Sequence, residues 1–404
     1  MKTILIISGG IEAVPGIQLA RSMGLYVVVS DGDVNAPGMK LADYPLVAST
    51  YNVDETLKKA CEFQRYKRKI DGVLCIAADV PLTVAKVAST LKLPGIPVAS
   101  AELAMNKLAM KDKFKRDGIS IPKYAGVSSF LDLKRNIEDW GYPVVVKPID
   151  SRGARGVLRL TEEIDLKWAW EYSLSNSPSG QLIMEKFLEG PQISTESMMI
   201  GGECYTSGFS DRNYEYLEKY SPHIIENGGD LPSLLPLIIQ SNVKDLIKKA
   251  ALSMGITHGI VKGDVVVHND IPYIIELAAR LSGGYFCTHE IPMNSGVDLV
   301  GNAIKMALGE KIYPHELIPK KNDFICQRYL FPEPGKVNSV SGLDNLTPEL
   351  GVEYFDLRIS KGDIIQPPVA HPSRPGMVIT SGQSRIEAQN NAATAISKIS
   401  ISYS

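Results

Sequence analysis

The 404-residue sequence lacks the features that mark several classes of protein. Its 43 Lys and Arg residues are balanced by 45 Asp and Glu residues, and a net charge of -2 gives no electrostatic reason to bind nucleic acid or an anionic membrane. No apolar run approaches the ~18 residues that a membrane span needs. The first ten residues, MKTILIISGG, suit a β-strand better than a signal peptide. We therefore expect a cytoplasmic protein that acts on small molecules.

Cysteine is also scarce and scattered. The five cysteines are odd in number and form no CxxC pair, which argues against both a disulfide framework and a zinc site. Two nucleotide-binding signatures are absent as well, since neither the Walker A pattern GxxxxGK[ST] nor GxGxxG occurs. A nicotinamide-binding Rossmann domain therefore remains an alternative that rests on residues 1–31 alone.

What the sequence does contain is a rhythm of short β-branched runs and helical stretches over its first 100 residues. Such βαβ alternation predicts a parallel sheet with helices on its faces. A helical period then runs from Leu103 to Gly118 and predicts one helix. At ~150 residues per domain, the length predicts two to three domains.

Residues 261–280 form two β-rich runs around an Asn-Asp turn and predict a hairpin. Reflection through the turn places Asp264 opposite Glu276 to within one residue of register. Two adjacent carboxylates are unfavourable without a cation between them, and oxygen ligands point to Mg²⁺ or Mn²⁺ held together with phosphates. Strand alternation puts Arg280 on the same face as Glu276. A solvated edge hairpin with an incidental acid pair is the alternative.

A second pattern suggests a nucleotide. The apolar strand YPVVVKP carries Lys147 near its end, and the following loop contains Gly153 and Gly156. Backbone N–H groups of a glycine loop can fold over phosphates, and a lysine beside them adds charge. A plain turn is the alternative interpretation.

These stretches together resemble the ATP-grasp superfamily, which includes biotin carboxylase, the carbamoyl phosphate synthase halves and the carboxylate–amine ligases. The resemblance lies in the order and spacing of VVVKP, SRGARG, MEKFLEGPQIS and IIELAARLSGG. It implies a mixed α/β and α+β fold of three domains. These are an N-terminal parallel α/β domain at 1–100, an ATP-grasp domain at 101–315 with a lid lobe at about 122–187, and a β-rich C-terminal α+β domain at 316–404.

The resemblance also implies roles for individual residues. Asp264 and Glu276 are expected to bear the metal, and Arg280 is expected to be catalytic, with the Gly283 and Gly284 amides forming a nest for an oxyanion. The backbone of the MEKFL segment is expected to read the adenine edge. ATP binding is expected from a larger set: Lys107, Lys147, Ser151, Gly153, Gly156, Glu185, Lys186, Leu188 and Gln192.

The E-x-A-A-R form of the last motif is similar to the L-amino acid ligase branch. It implies an ATP- and Mg²⁺-dependent (or Mn²⁺-dependent) ligase that joins a small carboxylate to an amine through an acyl phosphate, with a homodimer as the expected assembly. Lys262, His223 and His289 are the candidate substrate residues. An enzyme that forms carboxyphosphate or formyl phosphate is the alternative within the superfamily, and a nucleotide-binding module without chemistry is the alternative outside it.

Overall fold

The computed structural model describes residues 1–404. Its N-terminal region is a parallel sheet of order β3-β2-β1-β4 with helices on its faces, which confirms the prediction from the βαβ rhythm. The third strand was not predicted; it is short, lies at the edge of the sheet and contains a proline. The elements are β1 (Thr3–Ile7), α1 (Val14–Ser22), β2 (Tyr26–Asp31), β3 (Tyr44–Val47), α2 (Val53–Tyr66), β4 (Gly72–Cys75) and α3 (Pro81–Leu91).

The single helix predicted from Leu103 to Gly118 is wrong. The chain forms two helices there, α4 (Val98–Met105) and α5 (Lys107–Arg116), because Asn106 between them adopts an extended conformation with φ -130° and ψ 102°. Its side-chain oxygen accepts the Ala109 N–H at 3.0 Å and caps α5. An N-terminal cap satisfies a backbone donor that the helix itself leaves unpaired.

A small antiparallel sheet of order β5-β8-β6-β7 follows, and two helices cover one of its faces. Apolar side chains that alternate along the strands, among them Val144, Val146 and Leu158, pack against Leu133 of the first helix. This unit falls within the span expected for a lid lobe. Its elements are β5 (Tyr124–Val127), α6 (Phe130–Trp140), β6 (Val144–Pro148), β7 (Leu158–Leu160), α7 (Leu166–Ser175) and β8 (Leu182–Lys186).

The central region is built on antiparallel strands with one long helix on the sheet. Val243, Ile247 and Ala250 lie on the buried face of that helix and belong to the same core cluster as Val261 and Ile274 of the sheet. The elements are β9 (Gln192–Ile200), β10 (Glu203–Arg212), β11 (Gly228–Leu231), α8 (Leu237–Ser253), β12 (Gly259–His268), β13 (Ile271–Ala278), α9 (Ile291–Ser295) and α10 (Leu299–Ala307).

The strands of the C-terminal region are divided between two sheets. Three of its strands extend the central sheet, which runs β13-β12-β9-β10-β11-β14-β18-β16 and is therefore continuous across the expected boundary at 315/316. A separate sheet has the order β17-β15-β19. The elements are β14 (Phe324–Tyr329), β15 (Gly335–Ser341), β16 (Val352–Leu357), β17 (Ile364–Ile365), β18 (Gly376–Gly382), α11 (Arg385–Lys398) and β19 (Ser400–Tyr403).

The largest apolar core joins the three regions. It includes Ile17 of α1, Ile304 of α10, Ile325 of β14 and Ile379 of β18. At Gly16 a β-carbon would lie 2.2 Å from the terminal carbon of the Ile76 side chain, which would have to shift. Tightly packed side chains therefore fix the N-terminal, central and C-terminal regions relative to one another. None of the helices is both long enough and apolar enough to cross a membrane.

Candidate active site

A cavity of about 610 Å³ lies between the lid strands, the β12–β13 hairpin, the N-terminal loops and the C-terminal region. It collects nearly all of the residues that the sequence predicted for the site. The predicted residues that line it are Lys107, Lys147, Ser151, Gly153, Glu185, Lys186, Leu188, Gln192, Lys262, Asp264, Glu276, Arg280, Gly283 and Gly284. Gly156, His223 and His289 do not line it.

The hairpin register is as predicted, because Asp264 pairs directly with Glu276. Each carboxylate has its own cation. Asp264 contacts Lys262 and accepts a hydrogen bond from Arg212 at 2.9 Å, and Glu276 lies 3.2 Å from Lys107. Burial raises the pKa of Asp264, but Arg212 and Lys262 outweigh burial and hold that pKa well below its usual range. Asp264 is therefore an anion at neutral pH.

These acids fit a Mg²⁺ site that needs phosphate oxygens to be complete. No group of three or more His, Cys, Asp or Glu side chains could hold a metal ion by itself. Mg²⁺ is commonly held by one or two carboxylates, with substrate phosphates and water supplying the remaining oxygens. Two cavity-facing carboxylates on paired strands, flanked by Lys107 and Lys147, match that arrangement.

Lys107 reaches the cavity from the first turn of α5, where the Asn106 cap fixes the start of the helix. Its ammonium group donates to the Ser151 carbonyl at 2.9 Å in addition to the Glu276 contact. One lysine thus links the glycine loop to the hairpin.

Lys147 belongs to a buried charge cluster that the sequence analysis did not foresee. Glu185 lies 2.9 Å from Lys147 and 3.4 Å from Lys111, and all three side chains are buried. Burial lowers the pKa of Lys111 to about 8, although Glu185 opposes the shift. Lys111 was within reach of sequence reasoning, because it is the second lysine of the N-K-x-x-M-K stretch that contains Lys107. The Glu185 side chain thus contacts Lys111 and Lys147, whereas the prediction concerned only its backbone, as a partner for the adenine edge.

The glycine loop crosses the mouth of the cavity in an unusual backbone conformation. Gly153, Ala154 and Gly156 have φ of 62°, 61° and 72°, a region that glycine adopts without strain. Gly156 was expected to contact ATP, but it does not line the cavity. Its α-carbon faces the lid, where a β-carbon would lie 2.7 Å from Asn176. The Gly153 carbonyl accepts the His371 N–H at 3.0 Å and ties the loop to the C-terminal region.

Lys186 lines the cavity, but its ammonium group is engaged by backbone. It donates to the Gly141 and Tyr142 carbonyls at 3.0 Å each. Leu188 and Gln192 follow it along the same wall. Residues of this segment therefore form one wall of the cavity.

Arg280 is held by a carboxylate that the sequence analysis missed. Its Nε donates to Asp79 at 3.2 Å, and Arg152 lies 3.6 Å from the same acid. Burial raises the pKa of Asp79, but Arg280 and Lys107 outweigh burial and lower it. Asp79 follows β4, and residues at the carboxyl ends of parallel strands often face a site, so its position carried a signal.

The predicted oxyanion nest is occupied by internal partners in this structure. The Gly284 N–H donates to Glu12 at 2.7 Å, and Arg358 contacts the other oxygen of Glu12 at 2.8 Å. The Ser282 N–H donates to buried Glu196 at 2.8 Å. Burial raises the pKa of Glu196 to about 7, against the effect of the Ser282 hydrogen bonds. An external oxyanion at Gly284 would have to displace the Glu12 carboxylate.

Neither of the two candidate substrate histidines lines the cavity. His223 packs edge-on against Tyr172 and Trp168 of α7, and His289 packs between Tyr285 and Tyr354. Burial lowers the pKa of both, so each is a neutral packing residue. The histidine that lines the cavity is His371, in which burial lowers the pKa to about 3. Cys287 is buried and its pKa is raised, as expected for a thiol that is not a nucleophile.

The lining residues therefore fall into two groups. The lid-and-hairpin group, which the sequence predicted, is Lys107, Lys147, Glu185, Asp264 and Glu276. The junction group, which it did not, is Glu12, Asp79, Glu290, Arg358 and His371. Arg280 contacts the junction group through Asp79 and follows the hairpin in sequence.

Two family models match the chain. Residues 104–284 match the model of the ATP-grasp domain. Residues 328–404 match the model of the L-amino acid ligase C-terminal domain 2. The chain therefore contains a segment that matches the ATP-grasp domain and a C-terminal segment that matches a domain of L-amino acid ligases.

Curated relatives of this chain are distant. An uncharacterized protein, y4rH, of Sinorhizobium fredii is 24% identical over 397 residues, which cover 96% of this chain and 80% of that protein. The carbamoyl phosphate synthase large chain of Kocuria rhizophila is 25% identical over 252 residues, 59% of this chain but 22% of that protein. The chain thus spans about a fifth of the length of that synthase.

Solved structures share the fold of the whole chain. An L-amino acid ligase from Bacillus licheniformis superimposes with a TM-score of 0.83 at 20% identity, covering 100% of this chain and 99% of that one. A phosphoribosylglycinamide synthetase from Anaerococcus prevotii gives a TM-score of 0.77 at 18% identity, with both chains fully covered. These likenesses confirm the predicted fold class.

Proposed function

We propose that the protein activates a small carboxylate, an amino acid or a similar acid, as an acyl phosphate and transfers the acyl group to an amine, with release of ADP and phosphate. The single observation that carries this proposal is the cross-strand pair of Asp264 and Glu276, which faces one cavity together with Lys107, Lys147 and Arg280. The match to the C-terminal domain of L-amino acid ligases supports the choice of an amino acid.

The nucleotide-binding role falls to the lid-and-hairpin group. Lys107 and Lys147 are placed to contact the phosphates, and the loop from Ser151 to Gly156 is placed to cover them. Asp264 and Glu276 would hold Mg²⁺, which when bound neutralises phosphate charge and orients the β- and γ-phosphates. The segment from Lys186 to Gln192 would meet the adenine and ribose. We retain the expected domain boundaries, 1–100, 101–315 and 316–404, as part of the proposal.

Two displacement steps follow. A carboxylate oxygen of the acid attacks the γ-phosphorus, so that a new O–P bond forms while the bond to ADP breaks. The amine nitrogen then attacks the acyl carbon, phosphate leaves, and the amine loses a proton to solvent. Arg280 is placed to stabilise the charge that develops on the transferred group and on the acyl oxygen. Lys262, which contacts Asp264 in the empty cavity, is a second candidate partner for the acid.

A screen of ADP release tests this function. The purified protein is given ATP and Mg²⁺ with pairs of amino acids, hydroxy acids and amines, and products are identified by mass. We expect ADP to appear only with an acid and a nucleophile, and to vanish in Asp264→Asn. Bicarbonate and formate are included as acids, because ADP release with either one and no amino acid would contradict the proposal.

We also propose that the protein acts in the cytoplasm, because ATP is supplied there and the five cysteines are unpaired.

A further inference from the structure

One acid in the cavity has no partner. Glu290 ends the short turn Phe286–Glu290 that precedes α9, and its side chain lines the cavity although the residue is only 3% exposed. Its carboxyl group takes part in no hydrogen bond or ion pair with another residue, and only longer-range charges act on it. A buried carboxyl group without a partner is costly if charged.

The acids near Glu290 are all compensated. Glu226 accepts a hydrogen bond from Arg212 at 2.6 Å, and Asp230 accepts two from Arg328 at 3.0 Å. Glu196 accepts the Ser282 N–H. Arg212 and Arg328 are therefore already engaged by other carboxylates, and Glu290, unlike Glu196, has no hydrogen-bond donor either.

The charges that face Glu290 decide its state in the empty cavity. Burial raises its pKa well above the ordinary value, and Glu226, Asp230 and Glu196 raise it further, while Arg328 opposes them. Cys326 and Tyr329 on β14 complete the titratable groups near it. Glu290 is neutral in the free protein, and it would ionise once a cation bound beside it.

The cavity is also lined by a cation, Arg280, which could bind a carboxylate. Arg280 and Glu290 both line this cavity. A guanidinium and an unpartnered carboxyl group in one cavity complement a small molecule that carries both a carboxylate and an ammonium group.

We propose that Glu290 binds the ammonium group of an amino acid substrate and thereby selects amino acids over acids that lack the amine. This inference rests on the proposed ligase function and adds its specificity determinant. A neutral carboxyl group that ionises on binding an ammonium must release a proton. Binding should therefore strengthen as the pH rises toward the pKa of Glu290 in the free protein.

Selectivity is the first measurement. With hydroxylamine as a common nucleophile, hydroxamate formation is compared for each amino acid and for the same acid without its amino group. The measured quantity is the kcat/KM for the amino acid divided by the kcat/KM for the acid without its amino group. Glu290→Gln loses a hydrogen bond between charged groups, so this ratio should fall about 10- to 100-fold. Glu349→Gln, an exposed acid of the C-terminal region, is the matched control and should keep the wild-type ratio.

Proton release is the second measurement, and a structural role alone would not change it. Calorimetric titration of the amino acid into the protein with a non-hydrolysable ATP analogue, in phosphate and in Tris buffer, reports the protons released. We expect release in wild type and in Glu349→Gln, and none in Glu290→Gln. The titration of the ATP analogue itself checks that the variant is folded.

The outcomes separate the two proposals. Wild-type activity with acids that lack the amine, without preference for amino acids, would overturn the role of Glu290 and leave the ligase function standing. An unchanged ratio in Glu290→Gln, or a wild-type protein that binds no amino acid in the titration, would overturn it as well. Amino acid binding with proton release but without ATP-dependent hydroxamate would overturn the ligase function instead.

Discussion

The lid-and-hairpin group and the junction group line one cavity, but they differ in origin and in charge. Members of the first group lie on α5, on adjacent lid strands and on one hairpin, and each of its carboxylates touches a lysine or an arginine. Members of the second come from loops in all three regions, and one of them, Glu290, has no cation. Under the proposed function this difference corresponds to a division of labour, in which the compensated group would hold the nucleotide and the junction group would receive the substrate.

Loss of a hairpin carboxylate is the strongest test of this division. In Asp264→Asn or Glu276→Gln the metal loses one of its two protein ligands, so turnover should fall on the order of 10³-fold with every acid. ADP release is measured over several acids, with circular dichroism as the check on folding. A loss confined to one acid would place the hairpin in the substrate group and break the comparison.

Arg280 lies between the groups and should show an intermediate effect. Arg280→Met removes a preorganised donor but keeps most of the side-chain volume, so kcat should fall about 10²- to 10³-fold. The Kd for ATP should change little, because Lys107 and Lys147 remain. Arg280→Lys should restore only part of the rate, since an ammonium lacks the planar two-pronged geometry. Strongly weakened ATP binding with unchanged turnover at saturation would make Arg280 a nucleotide residue only.

Asp79 holds Arg280, so under the proposed function its loss should have a smaller effect than the loss of Arg280 itself. Asp79→Asn removes the charge at 3.2 Å that orients the guanidinium, and we expect a loss of about 10-fold in kcat, as for other residues that orient a reacting group. The double variant with Arg280→Met is decisive, because the Asp79 effect should disappear once Arg280 is gone. Additive losses would show that Asp79 works independently of Arg280.

The smallest effect is on stability. Asn106→Ala removes the cap of α5 and should lower the free energy of unfolding by about 1 kcal/mol, measured by urea denaturation. Because Lys107 starts that helix, the KM for ATP should rise modestly while the ratio between acids stays unchanged. A change in that ratio would link the cap to the junction group, contrary to the comparison.

Local sequence patterns predicted the nucleotide side of the cavity well. The Asn-Asp turn fixes the hairpin register, which pairs His268 with Ile271 and Val265 with Ile274 and, if continued, would put Asp264 opposite Ile275. A one-residue irregularity after Asp264 shifts its partner to Glu276, within the one-residue margin of the prediction. The strand that ends near Lys147 was equally clear, because the apolar run and the loop glycines are adjacent in sequence.

The junction group could not be predicted in this way. Glu12 and Arg358 are 346 residues apart and meet only because the N-terminal and C-terminal regions pack together. No spacing in the sequence links Glu290 to Arg280 or Asp79, and its lack of a partner is a property of the folded cavity. His223 and His289 misled for the converse reason: they stand near motifs in sequence, but packing against aromatic rings removes them from the cavity.

The central claim is that the acid is activated by phosphoryl transfer, and isotope transfer tests it most directly. The amino acid that gives the most ADP in the screen is labelled with ¹⁸O in its carboxylate and incubated with ATP, Mg²⁺ and the accepting amine. The phosphate formed is then analysed by mass. An acyl phosphate predicts one ¹⁸O atom in each inorganic phosphate, because the attacking carboxylate oxygen leaves with the phosphorus. Unlabelled phosphate, or ¹⁸O in AMP, would contradict the account.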